Sequence, residues 1–583
     1  MTRFVPGLHV VATYRRGWLA RDVVAGLVLS TLLVPQGMAY AELAGLPAIN
    51  GLYTTILCLM AYAVFGPSRI LVLGPDSSLG PMIAATLAPL VAANAGPERA
   101  VALASTLALM VGLIMIAAGL AGLGFVANLL SQPTVIGYMN GLALTILIGQ
   151  LPKLFGFSVD ANGALAEGSA FVKGAAEGKT VPAAVVLGLS CVALVLILER
   201  LAPAVPAILV MVVLAIAATT LLDLEGRGVL VLGQLPRGFP PLTIPSISAS
   251  DIGPLTAGAL GIALVSLADT ISTASSFAPR TGQEVDGNQE MVAIGTANVA
   301  AGLFQGFPVS TSASRTAVAE RAGARTQLAG VIGAGLIVAT IVLLPGLFRN
   351  LPQPALAAVV ITASLGLADL AGVVRLWRQR RAEFLVSLAA FLGVALLGVL
   401  PGMAVAVGLS ILNVFRRVWR PYTAVLGWVN ALRGFHDIRT YPGAEQVPGL
   451  VVYRFDAPLI FANAMTFSDE IRRLAASSPP PRWILVAAEP MTDVDTTAAN
   501  MLERLDDELN ARGISLAFAE MKDRVREKID RYELTRTIDP GHFFPTVEAG
   551  VTALRTTPPQ EQEQRGTPQD PARQPAPPGQ QAT

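Results

Sequence analysis

Charged residues are absent from long stretches of this chain. From Val101 to Gln150 none occurs, a length that covers two bilayer crossings of about 20 residues each. Further uncharged runs span Val181–Leu198, Leu201–Leu222, Thr326–Phe348, Leu351–Ala368 and Phe384–Phe415, the last interrupted by Pro401 and Gly402. With the apolar segments before residue 101 and between 254 and 320, they predict about fourteen hydrophobic elements. The first, Val23–Tyr40, lacks a small-residue cleavage pattern and leads into more spans, so it reads as a retained helix rather than a signal peptide.

From about Pro448 the pattern changes. Short β-type runs at Val451–Phe455, Trp483–Ala487 and Ile514–Phe518 are separated by helical stretches. One of these starts near Ser468, and the other runs from the Thr496 region to Arg512, with Gly513 as its stop. Alternating strands and helices predict one small α/β domain. Beyond Thr556 the chain is rich in Pro, Gln and Gly and too poor in apolar residues to repay ordering. The expected organisation is therefore a cytoplasmic N-terminal segment at 1–20, a transmembrane domain at 21–420, a linker at 421–447, a soluble domain at 448–556 and a disordered tail at 557–583.

Composition agrees with this pattern, because 53% hydrophobic against 14% charged residues excludes an ordinary water-soluble protein. A formal charge of +1 leaves no global footprint for nucleic acid. Cys58 and Cys191 sit in apolar runs and read as small buried hydrophobes. His9, His436 and His542 share no metal-ligand spacing. Basic clusters at Arg15, Arg16 and Arg21, at Arg375, Arg378, Arg380 and Arg381, and at Arg416, Arg417 and Arg420 are expected on the cytoplasmic side. An even number of crossings then puts both termini in the cytoplasm.

Asp76, Asp269 and Arg315 stand where charge costs about 2.5–3.5 kcal/mol each, so they should face a cavity or a partner. Asp76 lies in LVLGPDSSLGPMIAA and Arg315 in LFQGFPVSTSASRTAVA. Each segment reads as an extended stretch, a proline (Pro75 or Pro308), and Ser/Thr caps opening a short apolar helix. Such half-helices expose unpaired N–H groups and a positive dipole end, which suit a desolvated anion. One in each half of the chain is what an inverted-repeat transporter needs at its midplane. Ser77, Ser78, Ser310, Thr311, Ser312 and Ser314 would supply hydroxyl donors, and Arg315 a fork for two oxyanion oxygens. This chemistry fits sulfate or bicarbonate. The structural alternatives are capping and tight helix packing for the serines, and snorkelling or an ion pair with Asp269 for Arg315. Asp76 reads as a helix cap, because an ionised carboxylate repels an incoming anion. Gln36 and Tyr40 share one helical face, as do Asp269 and Thr273. A buried Asp269 would take a coupling ion, either Na+ with Thr273 or a proton.

The stretch RDVVAGLVLSTLLVPQGMAYAELAGLPAINGLYTTILCLMAYAVFGPSRILVLGP resembles the first signature of the sulfate permease (SulP) family, and FPVSTSASRTAVAERAGARTQLAGVI its second. The resemblance runs from about residue 15 to 555. It implies two inverted seven-segment repeats divided into core and gate, a C-terminal STAS domain, and a homodimer. The family site lies between the third and tenth segments. Gln36 and Tyr40 match its first-segment positions, Ser78 a third-segment position, Ser314 and Arg315 the tenth-segment pair, and Asp269 the eighth-segment acid. Thr273 resembles the accompanying hydroxyl of a sodium-coupled bicarbonate member. In STAS relatives a Ser or Thr after an Asp accepts phosphate. Thr496 is the corresponding residue, although Asp495 or Thr496 as a helix N-cap explains that run fully.

Gly178, Lys179 and Thr180 end like a P-loop, but Gly174 is one residue too close and no strand precedes it. The expectation is secondary transport of a small inorganic anion, sulfate first, across the cell's inner (plasma) membrane. It involves no covalent chemistry, no cofactor and no resident metal beyond a coupling Na+. Bicarbonate or dicarboxylate transport, an anion channel, and a membrane-anchored STAS signalling protein with a cytoplasmic regulator are the alternatives.

Overall fold

The computed structural model describes residues 5–556 apart from 92–95, 126–130, 160, 162, 204, 237 and 283. The disordered tail expected at 557–583 lies outside the described residues. The chain divides into two compact units, Met1–Ile411 and Leu412–Thr583.

Among the described residues, the apolar runs fold into fourteen helices. The first seven are α1 (Leu19–Leu43), α2 (Ala48–Phe65), α3 (Gly80–Leu87), α4 (Pro97–Leu120), α5 (Gln132–Leu154), α6 (Pro182–Leu201) and α7 (Ala207–Leu221). The second seven are α8 (Ala249–Thr281), α9 (Gly287–Leu303), α10 (Ala313–Arg321), α11 (Leu328–Leu343), α12 (Gln353–Leu367), α13 (Arg381–Leu397) and α14 (Val399–Trp419). Helix α14 carries the chain across the boundary between the units. Prolines Pro97, Pro133, Pro182 and Pro354 stand in the first turns of α4, α5, α6 and α12, where a missing N–H costs no helical bond. The third member of each set of seven is a half-length helix, α3 or α10. Strand β1 (Leu73–Gly74) precedes the first of these and β2 (Ser310–Thr311) the second. The two strands pair antiparallel, Leu73 with Thr311 and Gly74 with Ser310, as two repeats of opposite orientation require.

Helices α1–α4 pack with α8–α11 as a core, and α5–α7 with α12 and α13 as a gate, which α14 joins where a Cβ on Gly402 would lie 2.4 Å from the Val394 backbone of α13. Small residues set the closest crossings. A Cβ on Gly112 of α4 would lie 2.6 Å from the Gly295 carbonyl of α9, and one on Gly295 would lie 2.8 Å from the Gly112 carbonyl. In the gate, a Cβ on Gly137 of α5 would fall 1.9 Å from the Ser387 carbonyl of α13. Large apolar side chains such as Val186, Leu189 and Ile197 of α6 are exposed, as lipid contact demands. Three further helices, Pro6–Ala12, Ala164–Ala176 and Leu370–Gln379, complete this unit.

The second unit is the expected α/β domain. Its strands are β3 (Thr423–Val429), β4 (Gly434–Asp437), β5 (Leu450–Phe455), β6 (Trp483–Ala487), β7 (Ser515–Ala519) and β8 (Phe543–Phe544), in the order β4-β3-β5-β6-β7-β8. From β5 to β8 the pairing is parallel, while β3 runs antiparallel to β4 and β5. Helices α15 (Ala464–Ala475), α16 (Thr496–Asn510), α17 (Asp523–Arg531) and α18 (Val547–Thr556) cover the sheet. Residues 421–447, expected as a linker, instead carry β3 and β4. Ala424 and Leu426 of β3 are buried and pack with Val452 and Leu485, so an alternating pattern just behind the basic cluster was a strand. The third expected strand sits one residue later, where Ser515 registers with Trp483.

Candidate functional site

The two β-strands bring the half-helices head to head. Ser312 donates its amide to the Val72 carbonyl at 3.1 Å, and Val72 donates its own to Thr316 Oγ1 at 3.1 Å. Asn298 of α9 braces β2 by exchanging bonds with Val309, whose amide donates to Asn298 Oδ1 at 2.9 Å. Ser266 of α8 donates to the Val309 carbonyl at 3.0 Å. The first intrahelical donor of α10 is Thr316, to Ser312. The amides of its opening turn therefore precede the ladder and remain available to an acceptor.

Arg315 in this first turn is 2% exposed. Its Nη2 lies 3.6 Å from Asp76 Oδ1 and donates to the Gly74 carbonyl at 3.4 Å. Its Nε and Nη1 are buried without a hydrogen-bond partner among the described residues. A Cβ on Gly74 would stand 2.7 Å from Nη1, so glycine leaves the guanidinium this place without displacing it. The ion pair with Asp269 weighed from sequence is replaced by one with Asp76. Asp269 is engaged by Ser78, whose hydroxyl lies 2.9 Å from Asp269 Oδ2 and 2.7 Å from Asp76 Oδ2.

The other predicted residues gather on the same polar seam. Tyr40 is buried next to Ser77, Asp76 and Arg315, and Gln36 is buried one turn before it. Pro35 removes one ladder bond of α1 just before Gln36. Thr311 donates to Thr270 Oγ1 at 3.2 Å, Ser310 points back to the Thr311 carbonyl at 3.4 Å, and Ser312 and Ser314 share a hydrogen bond at 3.1 Å. Ser314 is exposed. Thr273 is buried one turn beyond Asp269, but the hydroxyl on that carboxylate is Ser78. A cavity of about 430 Å³ opens beside the seam, lined by Gln132, Thr134 and Tyr138 of α5, Asp269, Ser272 and Ser275 of α8, and Met403 of α14, among others. Asp269 is the predicted site residue on its wall, with gate helices α5 and α14 opposite. In the soluble unit, Asp495 caps α16 by accepting from the Ala498 amide at 2.8 Å, which is the N-cap reading of that run.

Among the buried acids that the sequence reading passed over are Asp22 and Glu290. Asp22 of α1 accepts from the amides of Arg325 and Thr326 at 2.7 and 3.1 Å and from Thr326 Oγ1 at 2.8 Å. Glu290 of α9, wholly buried, accepts from the Tyr62 hydroxyl at 2.7 Å and from Ser68. Both stand near the ends of apolar runs, where charge looks like a flank. The signal for Glu290 was its place at the start of the run GNQEMVAIGTANVAAGL.

Paired half-helices meeting inside a helical membrane domain, followed in sequence by an α/β domain, define an inverted-repeat membrane transporter. The sulfate permease family model matches residues 19–390 and the STAS domain model residues 441–550. The chain belongs to the sulfate permease family. It is 42% identical over 553 residues to a Mycobacterium tuberculosis protein named "Probable sulfate transporter", covering 95% of this chain and 98% of that one. To human solute carrier family 26 member 6 it is 35% identical over 480 residues, covering 79% and 63%. The murine solute carrier 26 family member A9 anion transporter, solved in the inward-facing state, superposes with a TM-score of 0.86 at 23% identity, covering 95% and 94%.

Proposed function

We propose that this chain is a secondary active transporter of a small oxyanion, with sulfate as its first substrate. The carrying observation is Arg315, buried between the half-helices with Nε and Nη1 unpartnered among the described residues. A guanidinium edge of this kind matches two oxygens of a tetrahedral dianion. The opening amides of α10 and the hydroxyl of Ser314 add neutral donors, while the Ser78 hydroxyl is engaged by the carboxylates of Asp76 and Asp269. Asp269, which lines the cavity and touches Ser78, is the entry point for the coupling cation, a proton or Na+. Transport then moves the core against the gate, with α5 and α14 forming the wall that the site slides past or closes on. The names of the relatives support sulfate. The basic clusters support cytoplasmic termini, and the family resemblance supports a homodimer with the STAS domain open to a cytoplasmic regulator.

The test is uptake of labelled sulfate into proteoliposomes, with pH, Na+ and competing anions varied independently. Accumulation against a gradient, driven by an imposed proton or Na+ gradient, is the expected result. Purely dissipative flux identifies an anion channel instead. Absence of flux for sulfate, bicarbonate and dicarboxylate under every gradient overturns the reading. Asp269→Asn abolishes gradient dependence if Asp269 carries the cation; surviving accumulation removes it from that role.

A further inference from the structure

Arg315 already has an anion in its site. We propose that Asp76 is a built-in competitor, a tethered carboxylate that occupies the guanidinium until the transported anion takes its place, and that it sets the anion charge which the site accepts. This rests on the anion site proposed above.

The geometry is that of an incomplete pair. A buried guanidinium without a counter-charge would be strongly unfavourable, and Asp76 supplies that charge. Yet the 3.6 Å separation is well beyond the roughly 2.7–2.9 Å of a charge-assisted hydrogen bond. The reason lies on the other oxygen: Asp76 Oδ2 accepts from the Ser78 amide at 3.1 Å and from the Ser78 hydroxyl at 2.7 Å. The turn that opens α3 thus holds the carboxylate back from Arg315. Two guanidinium nitrogens have no partner among the described residues, and Gly74 presents no side chain to them. An arriving oxyanion finds donors open and the resting pair easily loosened. The other charged or titratable groups at the seam include Asp269, reached through Ser78, Tyr40 beside Asp76 and Arg315, the Cys58 thiol within reach of the Arg315 charge, and Tyr138 beside Asp269.

Electrostatics gives this competitor a signature. A bound anion is repelled by the Asp76 charge in proportion to its own charge. Removing that charge therefore helps a dianion about twice as much in free energy as a monoanion, and the fold-gain for the dianion is the square of that for the monoanion. The experiment is calorimetric titration of the purified full chain with sodium sulfate and with sodium chloride, at ionic strength fixed with gluconate. Asp76→Asn is expected to lower Kd about tenfold for chloride and about a hundredfold for sulfate. Asp76→Ser is expected to give the same squared relation, and Asp76→Glu to return both constants towards the starting values. Adding Arg315→Ala to Asp76→Asn should erase the gain.

Equal gains for both anions would mean a change of shape rather than of charge, and would overturn the proposal. So would unchanged or weaker binding in both charge-removing variants, or no binding of either salt to any of them. If Arg315→Ala weakens anion binding while the Asp76 variants do nothing, only the competitor role falls. If Arg315→Ala leaves binding untouched, the anion site itself falls, and the competitor with it.

Discussion

Arg315 shows how the surroundings of a single charge decide what it can bind. Its guanidinium is planar and forked, so Lys cannot reproduce two parallel contacts from one point. Arg315→Ala is expected to abolish sulfate uptake or raise its KM at least tenfold without preventing membrane insertion, and Arg315→Lys to recover only a minor part. Uptake assays paired with detergent gel filtration separate the two effects, and unchanged uptake would remove Arg315 from the site. In the soluble unit, burial pushes the Asp506 carboxyl up to about 7, with the Asp507 charge adding to the rise and the Asn510 amide, which donates at 3.0 Å, opposing it. An acid whose folded pKa is raised stabilises the fold fully below its ordinary range near 4, and loses that contribution as pH rises through about 7. The domain should therefore be less stable at pH 8 than at pH 6. Asp506→Asn keeps an acceptor for Asn510 and should remove that difference, a gain on the order of 2 kcal/mol at pH 8. Melting curves of full-length wild type and variant at the two pH values check this.

At the scale of elements, backbone contacts between helices matter as much as side chains. A Cβ on Gly51 of α2 would lie 1.8 Å from the Gly37 carbonyl of α1, and backbone cannot give way as a flexible side chain does. Gly37 stands between Gln36 and Tyr40, so this crossing fixes how deep both sit against the half-helices. Gly51→Ala is expected to cost about 2 kcal/mol or more and to lower sulfate affinity along with stability. A thermal-stability series read alongside binding would show both losses. Retained affinity would mean that α1 does not position the site. The half-helices owe their placement to a two-residue pairing on each side, supported by Asn298 and Ser266. That is why so short a sheet carries so much of the site's geometry.

For the membrane unit as a whole, the relevant division is between core and gate. The cavity beside Asp269 has α8 on one wall and α5 and α14 on the other, so substrate movement requires these walls to change their separation. Gln132→Cys with Ser275→Cys, both exposed on the cavity lining and joined by a short bis-maleimide, is expected to stop uptake while leaving equilibrium sulfate binding within about threefold, an effect under 1 kcal/mol. Cys58 and Cys191 are buried and should not compete for the reagent. Full uptake after complete cross-linking would show that the two walls need not move.

Because burying uncharged runs in lipid depends on composition rather than on partners, hydropathy alone gave the membrane class, the number of apolar elements and the presence of an α/β domain after them, though not where that domain starts. It also located the two half-helices, since proline followed by small hydroxyl residues is a local signal. The expected side-chain caps do not form: the N-cap positions are Leu79 and Ser312, and neither side chain accepts a helical amide. The pairing of charges was a different matter. Asp76 and Arg315 are 239 positions apart in sequence, counted from their numbers, and the β1–β2 register brings them together. Only that contact showed that Asp76, a cap by local reading, faces the guanidinium, while Asp269 is held by Ser78. The same holds for β3 and β4, whose strand character depends on β5 lying alongside. Local chemistry fixed which residues bear charge and which segments are apolar; the tertiary fold decided which charge meets which, because electrostatic partners are chosen by distance in space.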